Sequence, residues 1–248
     1  MPRQLECLLL HTVRFGDKGY ILKILGADGE QRDAVFMASA NSKKNKRAFL
    51  HPLSALHLVL SDSKSNSLPY ASQFAFQHGR SLVHAGPVKL SIALFMAEVL
   101  TKICQWQKSD LALYDLAIHH LESTLNQIQP KDLPISFLLD VIEWAGILPL
   151  PPEKPIFPLV FGIQSASFST PPGNGLEPVF SPETSKVWLD LILHKNIPEN
   201  SAQRRDLLDA MIRFLEWQFE RPGSIQSHRI FAEMNTAKNE IGPLDQFL

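Results

Sequence analysis

Through roughly the first eighty residues the apolar positions come in short runs broken by turn residues, and beyond residue 86 they recur every three or four positions. The first pattern predicts strands and the second helices, because side chains alternate between faces along a strand and return to one face after about 3.6 residues along a helix. Strands are expected at residues 5–13, 20–25, 34–37, 55–61 and 70–78. Between the first two lies Arg14-Phe15-Gly16-Asp17-Lys18-Gly19, a turn with two glycines, and Ala27-Asp28-Gly29-Glu30 carries Asp-Gly, a hairpin signal. In the fourth strand Leu56, Leu58 and Leu60 share a face. In the fifth, strict alternation puts Tyr70, Phe74 and Phe76 on one face and Ala71, Gln73, Ala75 and Gln77 on the other.

After Ala85-Gly86-Pro87 the helical spacing begins, with Ile92, Phe95, Met96, Val99, Leu100 and Ile103 on one stripe. Asp110 opens a second helix (Leu113, Leu116, Ala117, Leu121, Leu125, Ile128), and Pro134 lies near the start of a third that Gly146 caps. Residues 149–180 break the pattern: eight prolines and three glycines fall between Pro149 and Pro178. That excludes helix for most of the segment, while Ile156, Phe157, Leu159, Val160, Phe161 and Phe168 predict that it packs rather than hangs free. Ser181-Pro182 opens a fourth helix running to about Lys195, Ser201 is expected to cap a fifth, and Ser227 to about Asn235 fits a last short one.

These elements give an α+β chain of two domains. Residues 1–82 form a five-stranded β-barrel of the OB type, and 83–248 an all-α helical domain with a Pro-rich extended insertion at about 149–180. Phe15 and Tyr20 flank the glycine turn and are the aromatics expected to be exposed, whereas Phe36, Phe74 and Phe76 suit core packing.

Charge sharpens this division. Residues 1–80 carry 11 Lys+Arg against 6 Asp+Glu, net +5, and the remainder 13 against 19, net −6. A basic front suits an anionic partner. Four of its cations, Lys43, Lys44, Lys46 and Arg47, fall within five residues between the third and fourth strands. A cation cluster on a loop beside a small sheet can present charge to phosphates, although such runs are most often solvated turns. No apolar run reaches the roughly 18 residues of a membrane span, and Met1-Pro2-Arg3-Gln4-Leu5-Glu6 does not read as a signal peptide, so a cytoplasmic protein is expected. Cys7 and Cys104 stand far apart and make no Cys-x-x-Cys pair; buried thiols are expected.

Catalytic patterns are missing. The chain has no phosphate-cradling glycine motif, no His-Glu-x-x-His and no Gly-x-Ser-x-Gly. His119 and His120 are adjacent and would point about a hundred degrees apart on a helix. Glu98 lies among apolar helix neighbours, where it either pairs with a cation or faces water. Glu98, His78 and His84 are the residues on which an alternative function, a small-molecule enzyme with a site between barrel and helices, would rest.

The order of these pieces resembles the RecO family of bacterial recombination mediators, closest to its Bacteroidetes members. The resemblance is carried by Leu8-Leu9-Leu10-His11-Thr12-Val13-Arg14-Phe15-Gly16-Asp17-Lys18-Gly19-Tyr20-Ile21-Leu22, by Lys43-Lys44-Asn45-Lys46 with Leu50-His51-Pro52-Leu53, by the run from Pro87 to Leu100, and by Arg204-Arg205-Asp206-Leu207-Leu208-Asp209. It implies an OB barrel followed by a helical domain, and a non-enzymatic protein that binds single- and double-stranded DNA and anneals complementary strands. It implies partnership with RecR, contact with the acidic C-terminal tail of single-strand binding protein, and help in loading RecA, in the nucleoid-associated cytoplasm. Phosphate contacts are then expected from Lys43, Lys44, Lys46 and Arg47, from Arg14 and Lys18, and from Arg80 and Lys89. Lys102, Lys108, Arg204 and Arg205 are candidates for the rim of a partner-peptide groove. Some members carry a four-cysteine zinc module; residues 149–180 hold no cysteine here, so no zinc and no other cofactor is expected.

Overall fold

Alternating apolar residues close the first five strands on themselves. The structure is a computed structural model that describes residues 2–17, 19–37, 50–61, 68–77, 79–82, 84–127, 130–171 and 177–229. Strands β1 (Arg3–Phe15), β2 (Gly19–Gly26), β3 (Gln31–Met37), β4 (Ala55–Ser61) and β5 (Tyr70–Phe76) form a closed barrel in the order β1-β2-β3-β5-β4. β4 returns to pair with β1, β3 and β5 run parallel, and the other pairs are antiparallel. This is the OB-type barrel. The seam between β3 and β5 is short, a single register pair at Val35 and Tyr70. Inside lie Leu5, Cys7, Leu9, Leu22, Ile24, Ala34, Phe36, Leu56, Leu58, Leu60 and Ala71, with Tyr20, Leu50, Phe74 and Phe76 packed against them. Burial pushes the Cys7 thiol up to about 12.

Two bulges shape the barrel. In β1 the register shifts between Leu9 and His11, leaving Leu10 unpaired, and Leu8, Leu9 and Leu10 are all buried. In β5, Val59 pairs with Gln73 and Leu60 with Ala71, so Ser72 is the extra residue. This second bulge corrects the expected alternation. Ala71, not Tyr70, shares the interior with Phe74 and Phe76, and Tyr70 is left 48% exposed.

Helix α1 (Pro87–Trp106) packs on β1 and buries Ile92, Phe95, Met96, Val99, Leu100 and Ile103. Helix α2 (Leu111–Asn126) is capped by Asp110, which accepts a hydrogen bond from the Leu113 amide at 3.0 Å. The β2–β3 hairpin abuts that cap. Gly29, at φ +81°, lies against the Asp110–Leu111 peptide so closely that a Cβ would sit 2.2 Å from its backbone. The carboxylate of Glu98 in α1 accepts hydrogen bonds from the amide and hydroxyl of Ser227.

The described residues fall into two compact units, one holding those of 1–130 with 227–229, the other Lys131–Gln226. The change from strands to helices at residue 82 therefore lies inside the first unit, which includes α1 and α2. The second contains α3 (Leu133–Trp144), β6 (Val160–Gly162), β7 (Ser167–Ser169), α4 (Pro182–His194) and α5 (Ser201–Gln218). Gly146, at φ +72°, ends α3: its amide donates to the Glu143 carbonyl, and the Ile147 amide to that of Ile142. In the Pro-rich segment β6 and β7 pair, and their turn is pinned by Glu177, whose carboxylate accepts from the Gln164 and Ser165 amides, both at 2.7 Å. Leu159, Val160 and Phe161 are buried, with Phe161 ringed by Phe168, Phe180, Trp188 and Phe214 at 4.9–6.2 Å. Ile156 and Phe157, also expected to pack, are 70% and 53% exposed. Ser181 caps α4 as expected, accepting from the Thr184 amide. The cap of α5 is not Ser201 but Asn200, whose side-chain oxygen accepts from the Ala202 and Gln203 amides at 2.8 and 3.2 Å; Ser201 is the first helical residue. Most of the short helix expected at 227–235 lies outside the described residues.

Candidate nucleic-acid interface

Past the Leu10 bulge, β1 runs to the barrel mouth, and its side chains divide between two surfaces. Arg14 pairs in register with Tyr20, and Thr12 with Leu22. Because Tyr20 packs on the barrel core, Thr12 and Arg14 face the mouth, where they line a depression of about 250 Å³ with Tyr20 and Leu50. Arg14 is exposed and belongs to no ion pair among the described residues. β3 ends at Met37, opposite Gly19, and the described chain resumes at Leu50 in the same depression. Both ends of the β3–β4 connection thus meet the mouth beside Arg14. Lys43, Lys44, Lys46 and Arg47, which that connection carries, lie outside the described residues, as does Lys18.

The β2–β3 hairpin presents no comparable free charge. Arg32 holds Asp28 through two contacts at 2.6 and 2.8 Å and reaches Glu30 at 2.7 Å, while Arg3 adds a contact to Asp28 at 2.8 Å. Hydrogen bonding from Arg32 lowers the Asp28 carboxyl below its ordinary 3.8. Two cations beside two carboxylates leave little attraction for phosphate.

The remaining candidates are spread out. Arg80 donates to Glu122 at 2.6 and 2.9 Å and to Gln77 at 2.8 Å, tying the exit of β5 to α2. Lys89 donates to the Leu125 carbonyl at 2.6 Å, a cation at the C-terminal turn of α2 where the helix dipole favours it. Lys102 is half-buried and Lys108 exposed, both in the first unit. Arg204 and Arg205 belong to the second. Arg204 is committed to the Pro198 and Glu199 carbonyls at 2.9 and 2.5 Å, and Arg205 is exposed.

Sequence reading missed two exposed side chains near the mouth, Met37 at 51% and Tyr70 at 48%, and half-found a third: Phe15 is 50% exposed as expected, but its partner Tyr20 packs inward. No sequence signal marks the Ser72 bulge that turns Tyr70 outward. Of the residues an enzyme would have used, His84 is exposed, Glu98 is bound to Ser227, and His78 lies outside the described residues. Among the described residues no three His, Cys, Asp or Glu side chains are placed to hold a metal ion, and no helix is long and apolar enough to cross a membrane.

No family model matches the chain. It is similar to proteins named DNA repair protein RecO. That of Porphyromonas gingivalis W83 is 23% identical over 232 residues, which cover 88% of this chain and 91% of the relative. That of Christiangramia forsetii is 21% identical over 166 residues, covering 64% and 68%. That of Azobacteroides pseudotrichonymphae is 23% identical over 121 residues, covering 47% and 49%.

Proposed function

From the premise that the chain belongs to the RecO family, we propose that it is a DNA repair protein acting without catalysis. It binds and anneals single-stranded DNA and, with RecR, helps load RecA onto strands coated by single-strand binding protein. Double-stranded DNA and the tail of that binding protein complete its set of partners, and its place is the nucleoid-associated cytoplasm.

One observation carries this proposal. An OB-type barrel brings both ends of its four-cation connection to the mouth where exposed Arg14 stands. Cations grouped there neutralise successive phosphates and release counterions, which supplies affinity without sequence reading. Lys43, Lys44, Lys46, Arg47, Lys18 and Arg14 are the proposed phosphate contacts. Arg80 and Lys89, already engaged by Glu122, Gln77 and Leu125, hold α2 in place instead. Of the four cations considered for a partner-peptide rim, Lys108 in the first unit and Arg205 in the second are each exposed.

The test is binding of labelled single-stranded DNA across a salt series, comparing wild type with a variant carrying glutamate at positions 43, 44, 46 and 47. Each single-strand phosphate contact adds about −0.7 to the slope of log K against log salt. The wild-type slope should be steep and the variant's flatter by roughly 3. Equal slopes would place the DNA elsewhere, and no binding by wild type with or without RecR would sink the proposal.

A further inference from the structure

Two rows of side chains cross the barrel mouth on its inner side. In the row nearer the end of β1, Arg14 pairs with Tyr20 of β2, and Tyr20 with Phe36 of β3. In the next row Thr12 pairs with Leu22, and Leu22 with Ala34. Exposure falls along both rows. Arg14 is exposed and Tyr20 half-buried, while Phe36 is only 7% exposed; Thr12 is half-buried, while Leu22 and Ala34 are fully buried.

The rings of this mouth are committed to the core. Phe36 meets Phe74 edge-on with ring centres 5.1 Å apart, and Phe74 meets Phe76 in the same way at 5.9 Å. Rings attract one another in this geometry, and it holds Phe36 inside the barrel. Tyr20 and Leu50 pack against the same cluster. The depression of about 250 Å³ lined by Thr12, Arg14, Tyr20 and Leu50 is therefore edged along β1 by a guanidinium and a hydroxyl. Both donate hydrogen bonds, and both are groups that hold phosphate oxygens.

We propose that this mouth grips a single strand by its sugar–phosphate chain, through Arg14 and Thr12, and leaves the bases turned to solvent. The inference rests on the nucleic-acid function proposed above and adds to it how the strand is held. Arg14 supplies the charge, and its planar fork matches two phosphate oxygens at once. Thr12 lies two residues back on the same face of β1, roughly 7 Å away, and gives the same backbone a second donor. A strand held this way keeps the pairing edges of its bases free. It can pair with a complement while still bound, which is what annealing asks of a protein that holds single strands. A barrel that stacked the bases would have to release them first.

The test uses the full chain, Arg14→Ala, Thr12→Val and Thr12→Ser. The probes are a labelled oligonucleotide of mixed sequence, an abasic chain of equal length, and the complement of the first. Wild type should bind the two single strands within about 2-fold of each other, because one stacked base alone would separate them by about 5- to 150-fold. Arg14→Ala should weaken both alike and flatten the salt slope by about 0.7. Thr12→Val should also weaken both alike, with the salt slope unchanged, and Thr12→Ser should restore affinity. The bound strand should pair with its complement faster than it leaves the protein. An abasic chain that binds at least about 5-fold more weakly, or pairing that waits for release, would show that the bases are held and overturn the proposal while DNA binding stands. If Arg14→Ala and Thr12→Val bind both strands as wild type does, the strand runs elsewhere and the proposal also fails. If wild type binds neither strand, the DNA-binding function fails with it.

Discussion

Replacing Gly29 with alanine probes the contact that joins barrel to helix in the first unit. Two costs combine there. At φ +81° the backbone is in the left-handed region, which costs an L-residue roughly 1–2 kcal/mol. The new Cβ would also lie 2.2 Å from the Asp110 carbonyl carbon and the Leu111 nitrogen, and 2.7 Å from the Asp110 oxygen. These are main-chain atoms at the start of α2, so no side chain can rotate aside, and hairpin and helix must part by about 1.2 Å to regain ordinary contact. Forcing packed elements apart costs roughly 1–3 kcal/mol more. The expected total is about 2–5 kcal/mol. Gly16→Ala is the control, because Gly16 has φ +60° with nothing within 4 Å and should show the first cost alone. Urea unfolding followed by circular dichroism, with linear extrapolation of each phase, measures both. Equal losses in the two variants would refute the idea that the hairpin is docked on the α2 cap.

Two further outcomes follow from local geometry. Asn200→Ala should destabilise the second unit by about 1 kcal/mol, since two amides lose their acceptor, whereas Ser201→Ala should be nearly neutral; the opposite order in thermal melts would restore Ser201 as the cap. Asp28, hydrogen-bonded by Arg32, has a folded pKa below its ordinary 3.8, so its contribution is fully present well above pH 3.8 and is lost as pH falls through the depressed value. Asp28→Asn should therefore flatten the acid limb of stability against pH below about 4, and an unchanged limb would show that the Arg32 contact is energetically idle.

Much of the fold was legible because strand and helix periods are local. Leu56, Leu58 and Leu60 face the barrel core as their alternation requires, and α1 buries the stripe that its three-to-four spacing names. Caps at Asp110, Ser181 and Gly146 also lie where local chemistry puts them. Local reading failed where one residue changed the count: Ser72 enters β5 as a bulge, and Tyr70 moves from the interior to the surface.

The sequence by itself determined the five barrel strands, the five helices among the described residues, the basic front and the cluster at 43–47, since each depends only on neighbours along the chain. The tertiary structure alone decided which cations remain available. Burial and pairing bring Glu122 to Arg80 from 42 positions away and the Leu125 carbonyl to Lys89 from 36, while Arg14 meets no such partner among the described residues. It alone also brought Phe15 and Met37 together over Gly19 and turned Tyr70 outward, the first through register across three strands and the second through a bulge, neither of which leaves a periodic mark in the chain.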